Sequence, residues 1–414
     1  MKAQPTAKQL EYLSWEFGVF FHFGIRTFYE GHRDWDGQTM DPDAFMPTAL
    51  DCREWLRVAK NAGAKYAILT AKHHDGFANW PTAHSTYSVK HISWREGNGD
   101  VVREFVDACR AFGVKVGLYY SPAEPSMKGK TAQEYDDYFV NQVSELLTNY
   151  GKIDYLWFDG NGSADHQYDT RRIVKQIRSL QPDMLLFGLW DPDVRWVGNE
   201  AGYAPLTNYC TESMVDYTGF DDDRKRWFNV PEFIPAECDC MMRRQNWFYS
   251  DDDVDTVKSL EELMGIYCGS VGRGSNLLIN IGPDRRGLLP ERDANALLAM
   301  GEEVRRRFGA PLVCVERPPL VDDMIRIALP DCVLVDALLL EEDLREGEGV
   351  KAFSLKVVSC PSGRLVEIFR GTSMGHKKLC AFPPVYTDQL LVCIEETFGA
   401  PAILRASVYR VGEA

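Results

Sequence analysis

The sequence predicts an α/β protein: a (β/α)8-like barrel over residues 1–312, followed by an antiparallel β-sandwich over 313–414. Three observations carry this. Segments that read helix, Gly, strand recur one after another; polar residues gather where the strands end; and after about residue 310 the texture changes to short alternating runs separated by turn residues.

"FGVFFHFG" at 17–24 is an apolar strand that reaches polar matter at His22. Three segments with one shared plan follow. "ALDCREWLRVAKNAG" leads into "AKYAILT" and "AKHHDG", "DVVREFVDACRAFG" into "VKVGLYYS" and "PAEP", and "TAQEYDDYFVNQVSELLTNYG" into "KIDYLWFDG". In each helix the apolar residues recur at three and four places, and Gly63, Gly113 and Gly151 stand where a left-handed C-terminal cap is expected. Thr131 with Glu134 reads as a capping box. Further on, "YDTRRIVKQIRSLQPD" is a helix closed by Pro182, "MLLFG" at 184–188 a strand, and "LEELMGIYCGSVGRGSNLLINIGP" a helix, a Gly-rich turn and a strand.

Alternating strands and helices imply right-handed parallel crossovers, hence a doubly wound sheet or a barrel. No G-x-G-x-x-G follows the first strand, which favours the barrel, and "GSVGRGSN" at 269–276 precedes a strand and so offers no helix N-terminus to a phosphate. The helix ending near Phe308 marks the boundary. Beyond it "DMIRIALP", "CVLVDALLL", "VKAFSLKVVS", "RLVEIFRG", "LLVCIEETF" and "ILRASVYRV" read as sandwich strands.

A net charge of −15 argues against nucleic acid as a partner, since phosphate contacts require clustered Lys and Arg, and "RRRF" at 305–308 reads as a solvated helix end. "MKAQPTAKQLEYLSWEFG" holds no apolar stretch of signal-peptide or membrane-span length, so a cytoplasmic protein away from membranes is expected. Eleven scattered cysteines fit reduced thiols better than a disulfide framework, and "CDC" at 238–240 with Cys210 lacks the paired spacing of a zinc site.

Asp159 in "DYLWFDGNG" is the foremost candidate for chemistry. It ends an apolar strand beside Trp157 and Phe158, and Gly160 and Gly162 allow close approach of ligand or backbone. Such a carboxylate serves as nucleophile, general base or metal ligand, and equally well as a helix N-cap. Work on a glycosidic bond requires a second carboxylate; Glu200 in "VRWVGNEAG" and Glu237 in "FIPAECD" lie among aromatics, with Glu212 third. His22, His73 and His74 at strand ends suit sugar hydroxyls or a metal. Trp35, Trp80, Trp157, Trp196, Trp227 and Trp247 lie in or near the loops, where some serve as sugar platforms and others fill the core.

In this order "FGVFFHFG", "YAILTAKHHDGFANWPT", "VGLYYSPAE", "DYLWFDG", "VRWVGNEAG", "IPAECD" and "GSNLLINIGPDRRGLLPE" resemble family 29 glycoside hydrolases, the retaining α-L-fucosidases, over residues 15 to about 310. "VRWVGNEAG", "IPAECD" and "NWFYS" resemble the plant-type branch that removes α-1,3- and α-1,4-linked fucose from branched glycans. The C-terminal segment resembles the discoidin-like β-sandwich attached to such enzymes.

The resemblance implies Asp159 as nucleophile and Glu200 as acid/base, with Glu237 in reserve. It implies His22, His73, His74 and Tyr119 around the fucose hydroxyls, Trp157 beneath the sugar, and Asp34 and Trp35 where the family usually has Glu-Trp. "CDCMMRRQNWFYS" departs from the family's usual "CDVSIRPGWFY" on the leaving-group side. Asp75 is expected to order its loop. The expected partner is a fucosylated oligosaccharide or glycan, with no cofactor and no metal. Two other classes remain compatible with these residues: a glycan-binding barrel without catalysis, and a metal-dependent hydrolase using the three histidines and Asp159. Adjacent His73 and His74 point to opposite sides of an extended chain, which weighs against the second.

Overall fold

The computed structural model describes residues 3–30, 40–160, 166–188, 190–216, 225–360 and 362–412. Eight parallel strands form a barrel: β1 (Phe17–Phe21), β2 (Tyr66–Lys72), β3 (Lys115–Tyr120), β4 (Tyr155–Phe158), β5 (Leu185–Phe187), β6 (Arg195–Trp196), β9 (Ala236–Met241) and β10 (Asn276–Asn280). Between β6 and β9 the chain makes an antiparallel hairpin, β7 (Thr211–Asp216) with β8 (Lys225–Phe233). The spatial order is β5-β4-β3-β2-β1-β10-β9-β6, and one parallel bridge, Phe187 to Val194, joins the two ends.

Helices α2 (Cys52–Ala62), α3 (Val101–Phe112), α4 (Ala132–Asn149) and α5 (Thr170–Leu180) connect the strands from β1 to β5, and α6 (Leu260–Ser270) connects β9 to β10. The β5-to-β6 connection among the described residues is a short loop, so the barrel is irregular there. The caps behave as expected: Gly63 and Gly113 end α2 and α3 with φ of 105° and 64°, a region costly to any residue with a Cβ. Thr131 and Glu134 form the capping box of α4.

The barrel strands are buried on both faces, which is why they read as unbroken apolar runs. One set of side chains, including Val19, Leu69 and Leu118, packs outward against the helices. The other, including Phe20, Tyr66, Tyr119, Tyr155, Trp157 and Leu278, fills the barrel itself. Helix α1 (Ala7–Trp15), started by a Thr6/Gln9 capping box, adds Tyr12 and Trp15 to that inner cluster. The sequence reading contained no helix here.

After α7 (Glu291–Phe308) the chain enters an antiparallel sheet with the order β11-β16-β12-β15-β13-β14. Its strands are β11 (Val313–Glu316), β12 (Met324–Glu342), β13 (Val350–Ser359), β14 (Arg364–Gly371), β15 (Lys378–Thr397) and β16 (Ile403–Tyr409). "DMIRIALP" and "CVLVDALLL", expected as two strands, are one: β12 runs through both, and its register against β15 shifts between Ala328 and Val333. Residues from both halves of β12, Ile325 and Val335, share one core with Phe353 and Val408. Cys332 and Cys360 are joined across this domain, Cα atoms 6.5 Å apart, and the other nine cysteines are free; the expectation of reduced thiols throughout is corrected at this pair.

The sandwich is anchored to the barrel by specific contacts. Buried Glu348 accepts the backbone N–H groups of Cys210 and Thr211 at 2.8 and 3.0 Å, Lys377 pairs with Glu16 at 2.5 Å, and Tyr409 meets Phe308 edge-on. A cavity of about 1200 Å³ lies between the start of the chain, β8 and the sandwich, and none of the proposed site residues lines it. No helix among the described residues is long and apolar enough to cross a membrane.

Candidate active site

Asp159 leaves the barrel directly after β4. The Tyr119 hydroxyl, from the C-terminal end of β3, donates to its Oδ2 at 2.9 Å, and His74 Nε2 stands 3.5 Å from the same oxygen. Parallel pairing of β3 with β4 sets Tyr119 beside Trp157, so the donor from one strand reaches the carboxylate two residues further along the next. Trp157 lies flat between neighbours, stacked on Phe187 at 4.1 Å and on Tyr119 at 5.3 Å. A stacked indole at the mouth of a barrel offers an apolar surface of the kind on which a sugar ring rests.

The three histidines do converge. His22 lies 5.7 Å from His73, ring to ring, and His73 lies 4.2 Å from His74 and parallel to Tyr119 at 5.4 Å. Burial pushes the His22 imidazole down to about 3 and that of His74 to about 4, and it lowers His73 as well, so all three are neutral near pH 7. Their tautomers follow from their partners. The Asn280 amide donates to Trp247 O at 2.6 Å, which turns its oxygen to His22 Nδ1 at 2.7 Å; that nitrogen carries the proton and Nε2 is an acceptor. Ser121 Oγ accepts from Ala123 N and stands 2.6 Å from His74 Nδ1. The Asp159 carboxylate, an acceptor only, faces Nε2, so the His74 proton sits on Nε2 and Nδ1 accepts from the Ser121 hydroxyl.

Buried charges brace this wall from behind. Asp75 accepts from Phe77 N at 2.7 Å and faces Arg26 at 3.2 Å, the loop-ordering role expected of it. Lys72, fully buried, donates to Ala123 O at 2.7 Å and to Glu124 at 3.2 Å, and its ammonium lies 4.6 Å from the centre of the Tyr120 ring. Gly76, at φ of 86°, lets the chain pass Glu124, whose oxygen would stand 2.8 Å from any Cβ there. Among the described residues, no three His, Cys, Asp and Glu side chains gather as metal ligands.

Glu200 follows β6 and is exposed. Surrounding protein and the negative charge of Asp159 push its carboxyl above the usual range, while a hydrogen bond from Trp247 opposes them. Trp247 also lies 5.0 Å from the His22 ring, so it touches both the histidine wall and the second carboxylate. Two carboxylates near enough to influence one another, one with a raised pKa, are what bond cleavage by an acid and a nucleophile requires.

The α-L-fucosidase family model matches residues 2–307. The chain belongs to the α-L-fucosidase family. Alpha-L-fucosidase 1 of Arabidopsis thaliana is 31% identical over 94% of this chain and 83% of its own. A glycoside hydrolase 29 family member from an unknown rumen bacterium superposes with a TM-score of 0.89 at 34% identity, covering 100% of this chain and 78% of that one. A Bacteroides thetaiotaomicron protein crystallised as a candidate α-L-fucosidase gives 0.89 at 34% identity, over 98% and 97% of the two chains.

Within this family 29 chain, Glu237 is not where the sequence suggested. It has no exposed surface, and Tyr66, Trp157, Tyr12 and Tyr155 donate to its oxygens at 2.8, 2.9, 3.0 and 3.3 Å. Burial outweighs these four donors and pushes its carboxyl up to about 7. The assignment of Glu237 to substrate binding, or to reserve acid, is therefore corrected: it sits inside the barrel, beneath the indole on which a sugar would rest. Glu212 is paired with Arg195 at 3.0 Å at the base of the hairpin. Trp80 is core, donating to Glu145 at 2.9 Å, while Trp227 is exposed on the hairpin. Asp34 and Trp35 lie outside the described residues. Phe248, edge-on to both His22 and His73 at 5.3 and 5.0 Å, was missed, as were Asn280 and Ser121. The only signal for them was proximity to strand ends.

Proposed function

We propose that this protein is a retaining exo-α-L-fucosidase that releases terminal α-1,3- or α-1,4-linked L-fucose from branched oligosaccharides by double displacement. The observation that carries the reading is the environment of Asp159, a carboxylate at the mouth of the barrel, held by Tyr119 and bordered by neutral histidines. His22 Nε2 can accept from a fucose hydroxyl and the His74 Nε2–H can donate. Asp159 attacks the anomeric carbon while Glu200 gives its proton to the departing oxygen. The same Glu200, now a carboxylate, takes a proton from the water that releases fucose with its configuration retained. This chemistry asks the two carboxyls to stand about 5–5.5 Å apart in the complex. The linkage preference rests on "VRWVGNEAG", "IPAECD" and "NWFYS".

Asp159→Asn should lower turnover on the order of a thousand-fold or more with the fold intact; near-normal activity would remove Asp159 from the role. Glu200→Ala should cost most on substrates with poor leaving groups and regain activity with azide. NMR of the first product should find α-fucose; β-fucose would rule out retention. Faster release from Lewis-type trisaccharides than from 2′-fucosyllactose is the expected linkage result, and the reverse order would refute the branch assignment.

A further inference from the structure

Strand β9 presents alternate residues to the barrel interior, Glu237 and then Asp239, with Cys238 and Cys240 directed to the helices. Glu237 holds the indole of Trp157, two residues before Asp159. Asp239 makes the corresponding bond on the other side of the site: it is 4% exposed, and the Trp196 indole donates to its Oδ1 at 2.7 Å. Trp196 ends β6, which has only two residues; the backbone bonds to β5 are made before it, by Asp193 and Val194. The segment from Trp196 to Glu200 is thus weakly held by backbone on one side. On the other it is fastened to β9, by Val197 N to Glu237 O at 3.0 Å and by the bridge from Ala201 to Cys240. Asp239 lies between those two attachments.

We propose that Asp239 is a positioning residue for Glu200, acting through the Trp196 indole to hold the acid/base loop at its working distance from the sugar. The inference rests on Glu200 being the acid/base. An indole that loses this bond is free to tilt, and with it the loop that delivers the proton. The water step is the same for every substrate, but in the bond-breaking step before it, misplacing a proton donor matters only where the leaving group needs the proton. A sugar alkoxide does; an acidic phenolate departs unaided.

The test measures Asp239→Ala, Asp239→Asn and Trp196→Phe on a fucosylated trisaccharide and on an aryl fucoside with an acidic phenol. Asp239→Ala and Trp196→Phe should lower kcat/KM, which reports the bond-breaking step, by about ten- to a hundred-fold on the trisaccharide and by less than about threefold on the aryl fucoside. Asp239→Asn, whose amide oxygen still accepts from the indole, should restore most of the trisaccharide rate. Equal losses of kcat/KM on both substrates, or an Asn variant no better than Ala, would overturn the proposal. If Asp239→Ala does not fold, Trp196→Phe, which keeps a ring in place, carries the same comparison. Glu200→Ala on the same pair separates the two readings. If Glu200→Ala spares kcat/KM on the aryl fucoside and Asp239→Ala does not, only the positioning role fails; if Glu200→Ala lowers kcat/KM equally on both substrates, the acid/base assignment fails as well.

Discussion

Asp159 depends on a neighbour that reaches it from another strand. Removing the Tyr119 hydroxyl takes away a hydrogen bond to a charged group, a loss of about 1.5–3 kcal/mol, so Tyr119→Phe should reduce kcat/KM by about ten- to a hundred-fold while the melting temperature changes little. The buried histidines make a second claim at this scale. His74 titrates near 6.5 when unfolded but near 4 when folded, so the unfolded chain binds the proton first as pH falls. Its contribution is intact above about 6.5 and is lost as pH drops toward 4. His74→Asn, which has nothing to protonate, should therefore lose less stability than the parent between pH 7 and pH 4. Urea midpoints at the two pH values would reveal the difference, and parallel profiles would contradict it.

At the scale of elements, two strands carry buried ionisable groups. On β2, Lys72 ends the strand that delivers His73 and His74, and its pairing with Glu124 is sealed from water. Removing one partner leaves the other buried without compensation, so Lys72→Met should destabilise by about 3–5 kcal/mol, with part of the loss recovered in Lys72→Met/Glu124→Gln. Denaturant unfolding of both variants measures this. On β9 the sign is reversed from that of the histidines. Glu237 keeps its proton up to about 7 in the folded barrel and loses it near 4.5 when unfolded, so its contribution is present below about 4.5 and is lost as pH rises through 7. Glu237→Gln should therefore flatten the decline in melting temperature between pH 5 and pH 8; an unchanged decline would indicate that Glu237 is ionised throughout.

For the whole molecule, the sandwich closes surfaces that the barrel cannot close alone. Phe308 at the end of α7 rests against Tyr409, and Glu348 is committed to the N–H groups of Cys210 and Thr211, which lead into the hairpin. Glu348→Ala would leave those donors buried and unpaired, at a cost of about 1–3 kcal/mol. A matching fall in thermal stability, with kcat on an aryl fucoside preserved at low temperature, is the expected result. A loss of kcat without a loss of stability would mean that the contact serves the site and not the joint between barrel and sandwich.

The sequence by itself determined what local chemistry can encode. Helical periodicity ending at Gly63 and Gly113, and apolar runs ending at His22, His73 and Asp159, were enough to place six of the eight barrel strands and to mark the end where the polar residues gather, because caps and strand ends depend only on near neighbours. Only the tertiary structure decided which residues face one another. A strand buried on both sides has no polar alternation, so "AECDCM" could not say whether Glu237 looks into the barrel or out of it, nor that Asp239 would grip Trp196. Likewise nothing local linked Tyr119 to Asp159, or α1 to the barrel interior. Those contacts exist because eight strands close into a ring, and closure is a property of the register between strands far apart in the chain.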